Sequence, residues 1–254
     1  MSFELLLYTD QIQEENSTMI DIHCHILPAL DDGSESYEES VEMVKASATE
    51  GVTKMIATPH IYDDSISLDV LRAKTAELNR RLREASVPVE VFFGGEIYAD
   101  LSCEIFKKYS MNGNGYVLVE FPHSHLPARS IDILQSLKSE GLKPLIAHPE
   151  RNPSVIKNPK LLIELVQNTG AAVQVTSGSI AGEFGRRIRM CSHYLLKNGV
   201  VDIIASDSHS MRFRLPGLIK GVKTAAKIIG KEAAACLVFD NPLAVLNGLP
   251  IPKH

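Results

Sequence analysis

Two short stretches of this 254-residue chain pair metal-binding side chains at a spacing of two: His23-Cys24-His25 and Asp207-Ser208-His209. Side chains alternate along an extended strand, so each pair shares one face and can converge on one ion. Other His and acidic residues close apolar runs. Asp31-Asp32-Gly33 follows the first pair, and His60 ends Thr58-Pro59-His60. Glu96 ends Gly94-Gly95-Glu96, Glu120 stands in Val119-Glu120-Phe121, and His148 opens His148-Pro149-Glu150-Arg151. One metal needs about three or four protein ligands. At least eight candidates are present, a surplus that points to two or three ions bridged by carboxylates such as Glu96 and Glu120. Imidazole and carboxylate ligation without thiolate suits Mn, Fe or Zn, and the sequence does not choose among them. A single His at a strand end is more often a hydrogen-bonded structural residue than a ligand. Six strand ends that each carry a His or an acid are harder to explain that way, because buried charge is costly unless paired or metal-bound.

The apolar runs that carry these residues are 19–25, 54–60, 89–98, 116–121, 143–148, 171–176 and 201–209. They are rich in Val and Ile and read as buried parallel strands. Helical patterns lie between them. Ser36-Tyr37-Glu38-Glu39 is a capping box before Val41, Val44 and Ala48, with Gly51 closing the helix. Leu68, Leu71, Thr75, Leu78, Leu82 and Ala85 form one helical stripe. Ile131, Leu134 and Leu137 form another, ended by Gly141. Further helices precede Gly170 and Gly199, and two or three follow Gly217, the last opening at Asn241-Pro242. Strand–helix alternation predicts a parallel α/β fold. Seven such units with no mid-chain linker favour a barrel, with a doubly wound open sheet as the alternative. A barrel gathers all strand ends on one face, where barrel enzymes build their sites.

Other polar residues have blander readings. Cys24 lies between two candidate ligands and alternates away from them. Asp31 and Asp32 compete for one ligand position. His193 is mid-helix and structural or exposed. His123 and His125 form a second His-x-His in a Pro-flanked loop, which favours solvent or substrate contact over ligation. The Arg-rich side of the 68–85 helix is a solvated face. Arg151 and Arg214 follow the fifth and seventh strands, where a guanidinium can hold phosphate bidentately or pair with a cluster carboxylate. Ser177-Gly178-Ser179 offers backbone N–H groups to an anion, as a weak motif.

A net charge of −5 with no basic stripe argues against nucleic-acid binding. Four scattered Cys suggest a reducing compartment without structural disulfides. No apolar run reaches membrane-spanning length, and the N-terminus is a poor signal peptide, so the expected location is cytoplasmic without membrane insertion. Residues 1–18 differ from the rest. They read as a disordered extension, a packed accessory segment, or the product of a start upstream of Met19. Residues 19–254 read as one domain.

The motifs MIDIHCHILPALDDG, IATPH, GGEIY, LVEFP, IAHPER and ASDSH together resemble the polymerase-and-histidinol-phosphatase (PHP) superfamily. More narrowly, the stretch from about Met19 to Asn247 resembles the manganese-dependent protein tyrosine phosphatases of bacterial capsule and exopolysaccharide systems. The resemblance implies a distorted (β/α)7 barrel, with parallel strands and outer helices, around three divalent ions, Mn²⁺ favoured over Fe or Zn. It implies that His23, His25, Glu96 and Asp207 hold one ion. Glu96, Glu120 and His148 would hold a second, and Asp32, His60, Glu120 and His209 a third. Arg151 and Arg214 match phosphate-binding positions, and a hydroxide bridging the ions would be the nucleophile. The implied partner is the phosphorylated tail of an autophosphorylated tyrosine kinase; oligomerisation is left open. A Cys mechanism is disfavoured: six positions after Cys24, Cys103, Cys191 and Cys236 stand Leu30, Tyr109, Lys197 and Pro242, where a phosphate-cradling loop needs Arg. The alternatives are a small-molecule phosphatase of histidinol-phosphatase type, or a catalytically dead PHP module that only binds. A nuclease or amidohydrolase fits less well.

Overall fold

A computed structural model describes residues 18–252, so the 1–18 extension falls, apart from Thr18, outside the described residues. Nine strands are present among the described residues: β1 (Met19–Cys24), β2 (Val52–Ala57), β3 (His60–Ile61), β4 (Glu90–Phe93), β5 (Glu96–Tyr98), β6 (Tyr116–Glu120), β7 (Lys143–Ala147), β8 (Ala172–Thr176) and β9 (Ile203–Ala205). Every pairing between them is parallel, in the orders β1-β2-β4 and β3-β5-β6-β7-β8-β9.

Two of the expected strands are each split in two. Pro59, which has no N–H to give the ladder, separates β2 from β3. Gly94 and Gly95 separate β4 from β5, and a Cβ on Gly95 would lie 2.7 Å from Ile61 Cγ1. Backbone bonds carry the ladder across both gaps: Gly94 N–H to the Ala57 carbonyl at 2.9 Å, and Glu96 N–H to that of Pro59 at 3.0 Å. β2–β3 and β4–β5 therefore act as single tracks, which leaves seven. Beyond β9, Asp207 N–H donates to the His23 carbonyl and His25 N–H to that of Ser208, both at 2.8 Å. These bonds join the last track to the first and close a distorted barrel, which the open-sheet alternative would not do.

Alternation within each track builds two cores. Ile20, Ile22, Ile56, Leu118, Leu145, Ala147, Ile203 and Ala205 form the small interior core, closed at one end by Met111, Val245 and Leu246. Val117, Val119, Ile146, Val173, Val175 and Ile204 face the helices in a larger outer core. Glu120 stands two residues after Leu118, and Asp207 two after Ala205, so the interior face that is apolar below is acidic at the strand ends. β1 needs a further device. Ile20 and Ile22 are interior, yet His23 and His25 also reach the site. A register shift between Asp21 and Cys24 reverses the alternation there.

The helices follow the sequence closely. α1 (Tyr37–Thr49) is capped by the Ser36 side chain, which accepts from Glu39 N–H. Its capping box is displaced by one residue, since the Glu39 carboxylate accepts from Glu35 N–H at 3.0 Å rather than from Ser36. α2 (Leu68–Glu84) buries Leu71, Thr75, Leu78 and Leu82, and its Arg80 and Arg81 pair with Glu77 outside. α4 (Ser130–Ser139) buries Leu134 and Leu137 but leaves Ile131 partly exposed. α6 (Lys160–Thr169) ends at the left-handed Gly170, and α8 (Arg186–Lys197) is followed by Gly199 at φ +64. Three helices complete the C-terminal part: α9 (Ile219–Ile229), α10 (Lys231–Cys236) and α11 (Asp240–Leu246). The short α3 (Cys103–Lys108), α5 (Pro153–Lys157) and α7 (Ser177–Ala181) escape a periodicity reading because five or six residues cannot display a stripe.

Leu118 sits fully buried at the centre of the interior core. We expect Leu118→Ala to lower unfolding stability by about 2–5 kcal/mol, read as a lower urea midpoint at unchanged slope.

Candidate active site

The strand ends bring the sequence-predicted residues to one mouth of the barrel. Glu96 lies in register with His60 across β3–β5, and Glu120 with Tyr98 across β5–β6. His148 and Asp207 take left-handed backbone conformations immediately after β7 and β9, with φ of +29 and +53. Arg214, at φ +55, is a third among the site residues; Ala29, Ser86 and Asn112 are the others among the described residues. Non-glycine residues rarely adopt this region, and strain of this kind gathers at functional sites.

Three groups of potential ligand atoms form, each within 4.8 Å. They are His23, His25, Glu96 and Asp207; His25, Asp32, His60 and His209; and His60, Glu96 and Glu120. The first coincides with the set implied by the family resemblance. The others differ from it: His25 takes the place of Glu120 beside Asp32, His60 and His209, and His60 rather than His148 joins Glu96 and Glu120. His148 Nε2 instead lies 2.7 Å from Glu96 Oε1. His25, His60 and Glu96 each belong to two groups, so the cluster is continuous.

The imidazoles are held by their outer nitrogens. His23 Nδ1 lies 2.9 Å from Gln174 Oε1, His25 Nδ1 2.6 Å from Asp31 Oδ2, and His209 Nδ1 3.1 Å from the Asp207 carbonyl. Each acceptor favours the N–H on Nδ1, which turns Nε2 of His23 and His25 toward the cluster, the orientation that metal-ligating His need, while His209 Nε2 accepts from Arg214 Nη1 at 2.9 Å. Asp31 and Asp32 have different contacts. Asp31 accepts from His25, from His60 N–H and from Gly33 N–H, so it positions other groups. Asp32 Oδ1 faces the site, 3.5 Å from His60 Nε2 and 3.4 Å from His209 Nε2. Gly33 is required there, since a Cβ would come within 2.2 Å of the His25 carbonyl oxygen.

The carboxylates are buried without enough partners. Glu96, Glu120 and Asp207 are at most 2% exposed. Glu96 Oε2, both Glu120 oxygens, Asp207 Oδ1 and His60 Nδ1 make no hydrogen bond. Several lie within ion-pairing distance, such as His60 Nδ1 at 3.1 Å from Glu96 Oε2, but are not aligned as donor and acceptor. Buried anionic oxygens that converge without donors are what a site for divalent cations requires, so the residues fit the metal cluster that the family resemblance implies.

The proton affinities follow from this arrangement. Burial disfavours charge on His25, but Asp207, Asp31 and Glu96 outweigh it and raise its pKa well above the usual value. His23, against burial, is raised by Glu96 and Asp207, and His60 by Glu120 and Glu96. Burial likewise opposes charge on Asp207, yet Arg151 and His23 hold its carboxyl well below the ordinary range. Burial also opposes charge on Glu96, where His23 and His148 prevail and lower it. His209 is pushed down to about 3 by burial and by His25. Protons on these imidazoles and cations in the cluster compete for the same carboxylates.

Two guanidiniums flank the cluster. Arg151 Nη1 donates to Asp207 Oδ2 at 2.5 Å and Nη2 to Thr176 Oγ1 at 2.9 Å, and Arg214 Nη2 donates to the same Asp207 oxygen. Asp207 thus divides its oxygens: Oδ2 takes the arginines and Oδ1 faces His23 and His25, each at 3.4 Å. The Nε–H groups of both arginines are buried without an acceptor. The pairing with a cluster carboxylate and the proximity needed for an anion therefore occur together.

The remaining sequence readings also find their places. Cys24 points away from the cluster, its fully buried thiol 3.3 Å from the Ile56 carbonyl, and burial pushes its pKa well up. His193 bonds the Ile180 carbonyl at 3.0 Å. His123 is exposed, 3.1 Å from Glu120 Oε1, and its ring lies nearly parallel to that of His148 at 6.2 Å; the His125 ring lies 2.9 Å from the Ser124 hydroxyl. Ser177 uses its hydroxyl on the Leu218 carbonyl and Gly221 N–H. The sequence reading missed Gln174 and Thr176. The signal for Gln174 was a lone amide in the otherwise apolar run Ala172–Val175.

Fold and cluster together define a (β/α) barrel whose mouth carries His and carboxylate groups able to hold metal ions. The comparisons narrow the class. Residues 19–247 match the family model for capsular polysaccharide synthesis, CpsB/CapC, and the chain belongs to that family. It is 40% identical over 237 residues to tyrosine-protein phosphatase YwqE of Bacillus subtilis, covering 90% of this chain and 92% of that protein. It is 36% identical over 208 residues to the putative tyrosine-protein phosphatase CapC of Staphylococcus aureus, covering 80% and 81%. A crystal structure from work on YwqE of Bacillus subtilis and CpsB of Streptococcus pneumoniae, described as unique metal-dependent tyrosine phosphatases, matches with a TM-score of 0.86. That match has 36% identity over 93% of this chain and 97% of that one.

Asp31→Asn keeps the shape but weakens the acceptor that orients His25. We expect metal affinity to fall about 10–100-fold with little change in stability, read by competition with a chromophoric chelator.

Proposed function

We propose that this chain is a metal-dependent protein tyrosine phosphatase acting on the phosphorylated tail of a bacterial tyrosine kinase of polysaccharide synthesis or export. The observation that carries the reading is the convergence of Glu96, Glu120, Asp207 and the inward-facing His Nε2 atoms, with unpaired anionic oxygens, beside two arginines. Membership of the CpsB/CapC family and the names of its relatives support the substrate class. Residues 19–254 act as one domain in this reading, in the cytoplasm. No helix among the described residues is long and apolar enough to cross a membrane.

Three divalent ions are assigned, Mn²⁺ favoured, with His23, His25, Asp32, His60, Glu96, Glu120, His148, Asp207 and His209 as the ligand pool. His148 enters through its contact with Glu96. Bound ions supply Lewis acidity, which makes water nucleophilic at neutral pH, and countercharge for the phosphoryl oxygens. The chain supplies the rest. Arg151 and Arg214 bind the phosphate oxygens and hold the ester in line, and their charge follows the negative charge that spreads over those oxygens in the transition state. Gln174 and Asp31 keep His23 and His25 in the tautomer that leaves Nε2 free. The leaving group is a phenolate with a pKa near 10, which departs with less help from an acid than an alkoxide needs. No thiol takes part: Cys24 is buried and turned away, and burial raises Cys191 to about 12.

The test is phosphate release from a phosphotyrosine peptide by metal-stripped protein, with Mn²⁺ restored and vanadate as a control. We expect release that depends on Mn²⁺ and resists vanadate. His23→Ala or Asp207→Ala should abolish it. Cys24→Ser should keep most of it, and Arg214→Ala should raise KM or lower kcat at unchanged metal content. If folded, metal-loaded protein releases nothing with any divalent ion, the reading moves to a small phosphate ester or a binding module. Near-wild-type kinetics of the Arg214 variant would remove its phosphate role.

A further inference from the structure

The rim of the barrel mouth carries an aromatic pair for which the metal and phosphate assignments have no use. Tyr62 follows β3 directly and is 56% exposed. Its ring stacks on that of His60 at 5.1 Å and 16°, and meets Tyr98 edge to face at 6.1 Å and 63°. Tyr98 lies two residues beyond Glu96 on β5 and in register with Glu120. The pair thus borders the His60, Glu96 and Glu120 group. Scattered exposed aromatics need no explanation. Tyr62 is not scattered, because one face is fixed against a cluster imidazole and the residue still remains more than half exposed. Nor is its hydroxyl its purpose. The hydroxyls of Tyr109 and Tyr116 bond the carbonyls of Ile66 and Leu249, whereas no hydrogen bond holds that of Tyr62.

We propose that Tyr62, braced by His60 and Tyr98, is the aryl-recognition surface of the site, stacking on the ring of the phosphotyrosine while Arg151 and Arg214 hold its phosphate. This rests on the phosphatase reading above and adds a basis for selecting aryl over alkyl phosphate esters. The aryl ring is common to every phosphotyrosine sequence and absent from alkyl phosphates, so a fixed aromatic wall is the economical way to read it. Offset or edge-on ring pairs contribute enough to give about a 3- to 10-fold preference.

The test uses the full metal-loaded chain and two non-hydrolysable competitors, benzylphosphonate and methylphosphonate, against phosphotyrosine-peptide turnover. Wild type should bind benzylphosphonate more tightly. Tyr62→Ala should weaken benzylphosphonate about 3- to 10-fold, leave methylphosphonate and metal content unchanged, and raise KM more than it lowers kcat. Tyr62→Phe should behave as wild type, because the ring and not the hydroxyl is used. Equal weakening of both phosphonates would make Tyr62 a mere support for His60 and overturn the proposal. Unchanged benzylphosphonate binding in Tyr62→Ala would overturn it too, while leaving the phosphatase reading intact. Absence of phosphotyrosine turnover in wild type would instead remove the phosphatase reading on which the proposal stands.

Discussion

The structure depends on one electrostatic constraint: Glu96, Glu120 and Asp207 are buried together at the end of an apolar barrel interior. Carboxylates that leave water lose solvation worth several kcal/mol each unless positive charge or hydrogen-bond donors replace it. The protein supplies part of that replacement through the arginines on Asp207 Oδ2 and the imidazoles around Glu96. It leaves Glu96 Oε2, Asp207 Oδ1 and both Glu120 oxygens without donors. A sequence selected for stability alone would fill this mouth with apolar side chains, as it does one layer below with Leu118, Leu145 and Ala205.

The barrel's irregularities serve the same constraint. The register shift in β1 turns two histidines inward after two isoleucines. The breaks at Pro59 and Gly94-Gly95 let two tracks bend where His60 and Glu96 enter. The left-handed residues after β7 and β9 aim His148 and Asp207 across the mouth. A regular barrel would keep period-two alternation to the strand ends and deliver fewer ligands. Outside the mouth the fold is conventional, with the long α2 pairing Arg80 and Arg81 with Glu77 on the surface.

Much of this was legible in the chain. The alternation of strands with capped helices gave the parallel α/β class, and paired residues such as His23 and His25 announced the cluster through period-two spacing. The specificity of the whole motif set gave the family. What could not be read was whatever depends on contacts across the sequence. Asp31 and Asp32 are adjacent and chemically alike, and only their partners, for Asp31 His25 six residues away and His60 N–H 29 away, for Asp32 His209 177 away, separate an orienting carboxylate from a facing one. Gln174 is 151 residues from the His23 it orients. The grouping of candidate ligand atoms, with His60 beside Glu96 and Glu120, likewise depends on contacts between different strands. Tyr62 gave no signal at all, because an aromatic residue after a strand is ordinary until its neighbours are known.

The central claim is that divalent cations complete the charge balance of this mouth, and it is most directly tested by calorimetric titration of Mn²⁺ into metal-stripped full-length protein, followed by thermal unfolding. The account predicts more than one tight ion per chain, proton release on binding from the imidazoles whose proton affinity the carboxylates raise, and a raised Tm. A stripped protein that binds no ion tightly and unfolds at the same temperature with and without Mn²⁺ would contradict it.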